Sequence, residues 1–252
     1  MWKNTLADNV IKNQQIRKKK YNREMVKIKK LYMDIGCSYR GRDDVDNIYK
    51  DIVNWNIKDC GIIGMLKLEI DTEERTYEEI MFRQILSPMY HKFSCSTSDY
   101  KKYTDCVLKE FKDVDLFVTF NGRDFDIPII LHNLNFSDNR KKIYSKYILT
   151  KDRDLLDLCI SINVPVQGGL EQIVKRLSID HDLRCKNCPE YSEEEICFLN
   201  SFDDDINKYN NNLKLVKQRN EFDIRILPLL EKKLGYLYDP RLFIDRFHKK
   251  WE

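Results

Sequence analysis

Short apolar runs of β-type alternate along this chain with longer stretches in which apolar residues recur at helical spacing. The sharpest pattern is Leu116-Phe-Val-Thr-Phe-Asn-Gly-Arg-Asp-Phe-Asp126. A β-branched and aromatic run stops at Asn121-Gly122, and an apolar stretch follows over 127–135. This predicts a buried strand over 116–120, a tight turn, and a helix that tolerates Pro128 in its first turn. Residues 28–34 and 60–70 predict two earlier strands, the first with imperfect alternation. Asp71-Thr-Glu-Glu74 predicts a turn, followed by a short strand or a helix.

Tyr103, Val107, Phe111 and Val114 predict a helix over 100–114. Residues 154–160 suit a helix or a strand. Gly168-Gly169 opens a helix with Leu170, Ile173, Val174 and Leu177 on one side. A long last helix is predicted to end at Leu234, stopped by Gly235, with Pro228 kinking or splitting it. Residues 36–58 read as polar and irregular. Residues 180–205 read as a polar insertion with acidic clusters at 193–195 and 203–205, and the Asn210–Asn212 run marks its boundary. The organisation expected is a helical arm over 1–27, an α/β domain over 28–234 with a polar insertion at 180–212, and a tail over 235–252.

Composition narrows the class. The 252 residues are 42% hydrophobic, enough to bury the core of one sizeable domain or two small ones. No apolar run approaches the roughly 18 residues that a membrane helix needs. The first residues carry no apolar signal core. A cytoplasmic protein with no membrane partner is the expectation. Eight cysteines without a secretory signal suit free thiols better than a disulfide framework. Cys185-Lys-Asn-Cys188, with His181 and Cys197 nearby, suits a zinc site, and free thiols on a polar insertion are the competing reading.

Net charge is only +3, but residues 1–30 hold ten Lys or Arg against two acids, a local charge of +8 that leaves −5 for the remainder. A basic arm containing Lys18, Lys19 and Lys20 on a mildly acidic body suits contact with phosphates. A solvated helix that aids solubility explains the same residues.

Three aspartates sit at chemically informative places. Asp34 ends the first strand, and Asp126 follows the 116–120 strand. Asp223 falls in the stripe Leu213, Val216, Asn220, Asp223, Leu227, Leu230, Leu234, whose spacing puts it on one helix face. An inward carboxylate is costly without a cation or hydrogen-bond donors. Clustered carboxylates suit Mg²⁺ or Mn²⁺, and two such ions can activate a water for phosphodiester hydrolysis. Each aspartate also has an ordinary reading as a turn, helix-start or ion-paired residue.

Taken in order, these residues resemble the ribonuclease H-like, DnaQ-type (DEDD) 3′–5′ exonuclease superfamily, closest to its YprB-like branch, over about residues 28–234. The family's Phe-Asn-Gly-x-x-Phe-Asp motif is matched by Phe120 through Asp126. Its first motif, Asp-x-Glu, corresponds to Asp34-Ile35-Gly36. Its third motif, with Tyr or His four residues before Asp, corresponds to Arg219 through Asp223. Gly169 through Ile179 resembles the helix between motifs. The resemblance implies a ribonuclease H-like mixed central sheet with flanking helices. It also implies Asp34, Asp126 and Asp223 as catalytic ligands of Mg²⁺ or Mn²⁺. Contacts to a single-stranded or 3′-ended nucleic acid fall on Asn121, Gly122, Phe125, Arg219 and Asn220, with Lys18–Lys20 on the arm. Phe120 and Phe125 suit either base stacking or core packing.

Two departures bear on activity. Gly36 replaces the family's Glu and removes one ligand. Arg219 replaces its Tyr or His, and a guanidinium cannot serve as a general base near neutral pH. Arg219 can instead pair with Asp223 at i and i+4. Glu69, Glu171 or Asp124 are the candidates to replace the missing carboxylate. The expectation is a nucleic-acid-binding relative with weak or lost catalysis. An active divergent exonuclease and a noncatalytic protein-complex scaffold are the alternatives.

Overall fold

Two phases of alternation along the first strand decide how the central sheet is covered. In the computed structural model, which describes residues 27–37, 60–88, 96–179 and 206–240, this strand is β1 (Lys27–Cys37). Leu31, Met33 and Ile35 enter one hydrophobic cluster, while Ile28 and Tyr32 enter another. Successive side chains of a strand point to opposite faces, so β1 is buried on both.

β2 (Cys60–Asp71) and β3 (Thr76–Leu86) continue the sheet antiparallel on one side of β1. β4 (Leu116–Thr119) and β5 (Asp152–Asp154) extend it in parallel on the other, giving the order β3-β2-β1-β4-β5. The Asp71 carboxylate accepts from the amides of Glu73 and Glu74 at 3.0 and 2.8 Å. This side-chain turn returns the chain as an 11-residue strand, settling the strand-or-helix alternative.

Helices α1 (Thr97–Glu110), α2 (Asp126–Asn133) and α3 (Asp138–Leu149) supply Tyr103, Val107, Ile127, Ile130 and Ile148 to the Leu31 face. Ser96 starts α1 with a capping box closed by Asp99. Helices α4 (Leu155–Ser161), α5 (Gly169–Arg176) and α6 (Ile206–Lys233) cover the Tyr32 face with Leu155, Leu158, Ile173, Val174, Leu227 and Leu230. The result is an α/β fold with a five-stranded mixed sheet between two helical layers. No described helix is long and apolar enough to cross a membrane.

Several expectations are corrected. β1 runs on to Cys37, past the predicted end at 34. Residues 154–160 divide between the end of β5 and α4. The Asn210–Asn212 run lies inside α6, which begins at Ile206. Pro228 does not split that helix. Ile224, Ile226, Leu227 and Leu230 are all essentially buried around it, and burial of that face outweighs the local cost of the ring. α3 buries only Ile148 fully, so its apolar periodicity is faint. The basic arm with Lys18–Lys20, the 180–205 stretch with His181, Cys185, Cys188 and Cys197, and the tail from 241 lie outside the described residues.

The imperfect alternation of β1 has a partner far along the chain. Lys30, 0% exposed, donates to Glu231 of α6 at 2.8 Å and to the carbonyls of Tyr236 and Leu237. Arg153 of β5 pairs with the same Glu231 oxygen, and the Tyr32 hydroxyl donates to the other at 2.5 Å. Burial pushes the Lys30 ammonium down to about 8, and Glu231 opposes that shift. Burial, then the Glu231 charge, holds the Tyr32 phenol well above its ordinary range.

Removing one member of a buried ion cluster leaves the others uncompensated. Glu231→Gln is expected to cost about 3–5 kcal/mol, read from the urea midpoint of unfolding. A loss below about 1 kcal/mol would contradict a structural role for this cluster.

Candidate functional site

The site forms where β1 and β4 end side by side. β4 stops at Thr119, and the chain turns through Asn121, whose φ is +60°, a left-handed conformation that Asn tolerates. Gly122 follows pressed against Thr119; a Cβ there would lie 2.3 Å from the Thr119 Cβ. The turn is held from β5. Asp154 accepts from the amides of Asn121 and Arg123 with separate oxygens, at 2.9 and 3.2 Å, and caps α4 through Leu156. Asp152 accepts from the Thr119 hydroxyl at 3.0 Å and from Arg123 Nε at 3.3 Å.

This turn delivers Asp126 to the first residue of α2, 2% exposed. Its Oδ1 accepts from the Ile35 amide of β1 at 3.2 Å. The β1–β4 pairing reaches only Tyr32–Val118, so the Ile35 amide lies beyond the ladder and the carboxylate satisfies it. Motif residues 34–36 and 120–126 are thereby joined through a direct bond. Burial, helped by the charges of Asp154 and Asp152, pushes the Asp126 carboxyl up to about 8 against its amide hydrogen bonds. Burial, then Asp154, pushes Asp152 up to about 7.

Asp34 lies on the opposite face of β1, toward α6. Asn220, 3% exposed, donates its amide to the Asp34 carboxylate at 3.3 Å and to the Asp34 carbonyl at 3.4 Å. The Asn220 oxygen accepts from Gln84 of β3 at 3.2 Å, and Gln84 also holds the Lys217 carbonyl at 2.6 Å. Gly64 of β2, paired with Asp34 on one side and Gln84 on the other, makes room for this contact. A Cβ at Gly64 would lie 2.3 Å from Asn220 Oδ1. Asp34, Gly64, Gln84 and Asn220 thus form a line across three strands and one helix.

Asp223 does not share the buried face that its spacing predicted. That face is centred on Ile224 and Leu227, and Asp223 sits half-exposed on its shoulder. Its carboxylate faces Arg219 at 3.9 Å, the expected i, i+4 pair. A Cβ at Gly36 would lie 2.8 Å from the buried Ile62, so a side chain at this position is opposed by packing. The three candidate replacements point elsewhere. Glu69 pairs with Lys27 at 2.9 Å, Glu171 pairs with Lys175 at 2.9 Å, and Asp124 is exposed.

Among the described residues no group of three or more His, Cys, Asp or Glu side chains is placed to hold a metal ion. Asp34 is engaged by an amide donor, Asp223 by a guanidinium, and position 36 offers no side-chain oxygen. The residues present do not fit a two-cation centre.

The nucleic-acid candidates divide in the same way. Asn121 is exposed and Arg219 half-buried. Gly122 is buried and Asn220 is used inside the fold. Phe125 is half-buried against the Leu31-face cluster, and Phe120 packs partly against the other. Sequence reasoning gave no role to Asp152 and Asp154. The available sign was an Asp-x-Asp placed directly before an apolar helical run, where Asp is a favoured cap. No protein-family model matches the chain, and no curated protein matches it.

The Asp126 shift has a measurable consequence. The unfolded chain releases this proton near the ordinary 3.8, whereas the folded chain keeps it to about 8. Stability therefore falls as pH rises from about 4 to about 8, and Asp152 acts in the same direction to about 7. Asp126→Asn keeps an oxygen for the Ile35 amide and removes this titration. Urea midpoints at pH 5 and pH 8 should differ less in the variant than in the parent; an equal difference would contradict the assignment.

Proposed function

We propose that this chain is a ribonuclease H-like, nucleic-acid-binding member of the 3′–5′ exonuclease superfamily in which the cleft at the ends of β1 and β4 serves recognition, with hydrolysis weak or lost. The mixed five-stranded sheet between helical layers supports the fold part of the reading. Support for the family part comes from the bond between Asp126 and the Ile35 amide, which joins the first two motifs at one sheet edge. Ligands of α/β sheets commonly bind outside the carboxyl ends of strands, where these residues lie.

The observation that carries the loss of catalysis is the Asn220–Asp34 hydrogen bond. An amide donor takes up one oxygen of the carboxylate that a cation would need. The Arg219–Asp223 pair and the crowded Gly36 position act in the same direction. Recognition would then rest on the exposed Asn121 turn, on Arg219, and on the basic arm with Lys18, Lys19 and Lys20, with affinity set mainly by phosphate contacts.

The test uses a 5′-labelled single strand with Mg²⁺ or Mn²⁺, on the parent chain and Asp126→Asn. The expected result is binding that weakens steeply with salt, by orders of magnitude between about 50 and 200 mM, with no shortening of the strand. Metal-dependent shortening by the parent that is lost in the variant would establish a working exonuclease and overturn the noncatalytic reading. Absence of salt-sensitive binding would remove nucleic acid as the ligand and leave a protein-complex scaffold.

A further inference from the structure

An open groove lies between α2 and α3, on the helical layer away from Asn220, with a volume of about 510 Å³. Its floor is aliphatic: Pro128 and Leu131 from α2, and Leu149 from α3. Its rim is basic, with Lys141, Lys142 and Lys146 of α3 facing His132 of α2. Among the described residues no acidic side chain lines it. Among the described residues none of these three lysines has a carboxylate within 4.0 Å, although paired charges are common elsewhere on this surface. From Lys141 to Leu149 the groove spans about 12 Å along the helix axis, room for two turns of a docked helix.

We infer that this groove docks an acidic, amphipathic segment of a protein partner, with aliphatic side chains on the Pro128–Leu131–Leu149 floor and carboxylates on the lysine rim. The chemistry of the lining selects this occupant. An apolar floor flanked by charge of one sign fits a helix with an apolar stripe and acidic flanks. Among the described residues no aromatic ring lines the groove, so a nucleic-acid strand would find the lysines there but no stacking surface. The guanidinium of Arg140, on the same helix, is already stacked 4.5 Å from the Phe136 ring. The groove is separate from the Asn121 turn, so the inference does not depend on the cleft binding nucleic acid.

The probe is a fluorescein-labelled helical peptide of about 14 residues with Leu at i, i+3, i+4 and i+7 and Glu on both flanks, followed by anisotropy on the full chain. The parent is expected to bind it. The double variant Lys142→Glu/Lys146→Glu should bind at least tenfold more weakly. Both lysines are exposed, so the variant keeps the parent's circular dichroism spectrum and melting profile. Lys101→Glu/Lys102→Glu, an equal charge change on exposed positions of α1, should leave binding within twofold. A peptide of the same composition with its leucines dispersed should bind at least fivefold more weakly than the striped one. No binding by the parent, equal weakening in both double variants, or equal binding of the two peptides would overturn the inference. An oligothymidylate that binds the parent and loses tenfold in the Lys142/Lys146 variant, with the peptide unaffected, would reassign the groove to nucleic acid.

Discussion

Glu231 ties α6 to the sheet through a buried ion cluster. One carboxylate, fully buried, takes Lys30 from β1, Arg153 from β5 and the Tyr32 hydroxyl. Desolvating those charges is expensive, and only this arrangement of partners offsets it. A slip of α6 by one residue would bury the same charges unpaired. The cluster therefore sets the register of α6 against β1, and that register reaches the candidate site. Eleven residues back along α6, about 16 Å at helical rise, stands Asn220. Four residues forward along β1, about 13 Å at strand rise, stands Asp34. The two lengths are close enough for the ends to meet, and Asn220 bonds Asp34.

A second constraint works on the opposite face. β4 is only four residues long and leaves the Ile35 amide beyond the ladder. Asp126 satisfies that amide because the Asn121-Gly122 turn is tight and because Asp154 fixes the turn's own amides. Asp126 and Asp154 thus serve as backbone acceptors, while Asp152 accepts from the Thr119 hydroxyl and from Arg123. Their raised proton affinities follow from depth and mutual repulsion, which hydrogen bonds offset only in part.

What the sequence made legible was local. The strand predicted over 116–120, which ends at Thr119, the tight turn at Asn121-Gly122 and the helix after it, which opens at Asp126, all follow from neighbouring residues. The Arg219–Asp223 pair was legible for the same reason, being four residues apart on one helix. What was not legible depends on distant partners. Lys30 interrupts the alternation of β1, and its reason lies 201 residues away. β5 has three residues, all charged, and is a strand only because β4 pairs with it and Glu231 receives Arg153. The 3-and-4 stripe through Leu213 and Leu234 placed Asp223 inside, but a stripe is as wide as its neighbours allow, and Ile224 occupies the centre.

At issue is whether protein donors, rather than divalent cations, neutralise Asp34 and its neighbours. Titrating Mn²⁺ into the full chain and following the free ion by electron paramagnetic resonance measures this directly. The prediction is no stoichiometric binding at Asp34, so the parent and Asp34→Asn give the same free-ion curve. Tight binding of one or two ions that Asp34→Asn abolishes would contradict it, and would mean that a cation displaces the Asn220 amide.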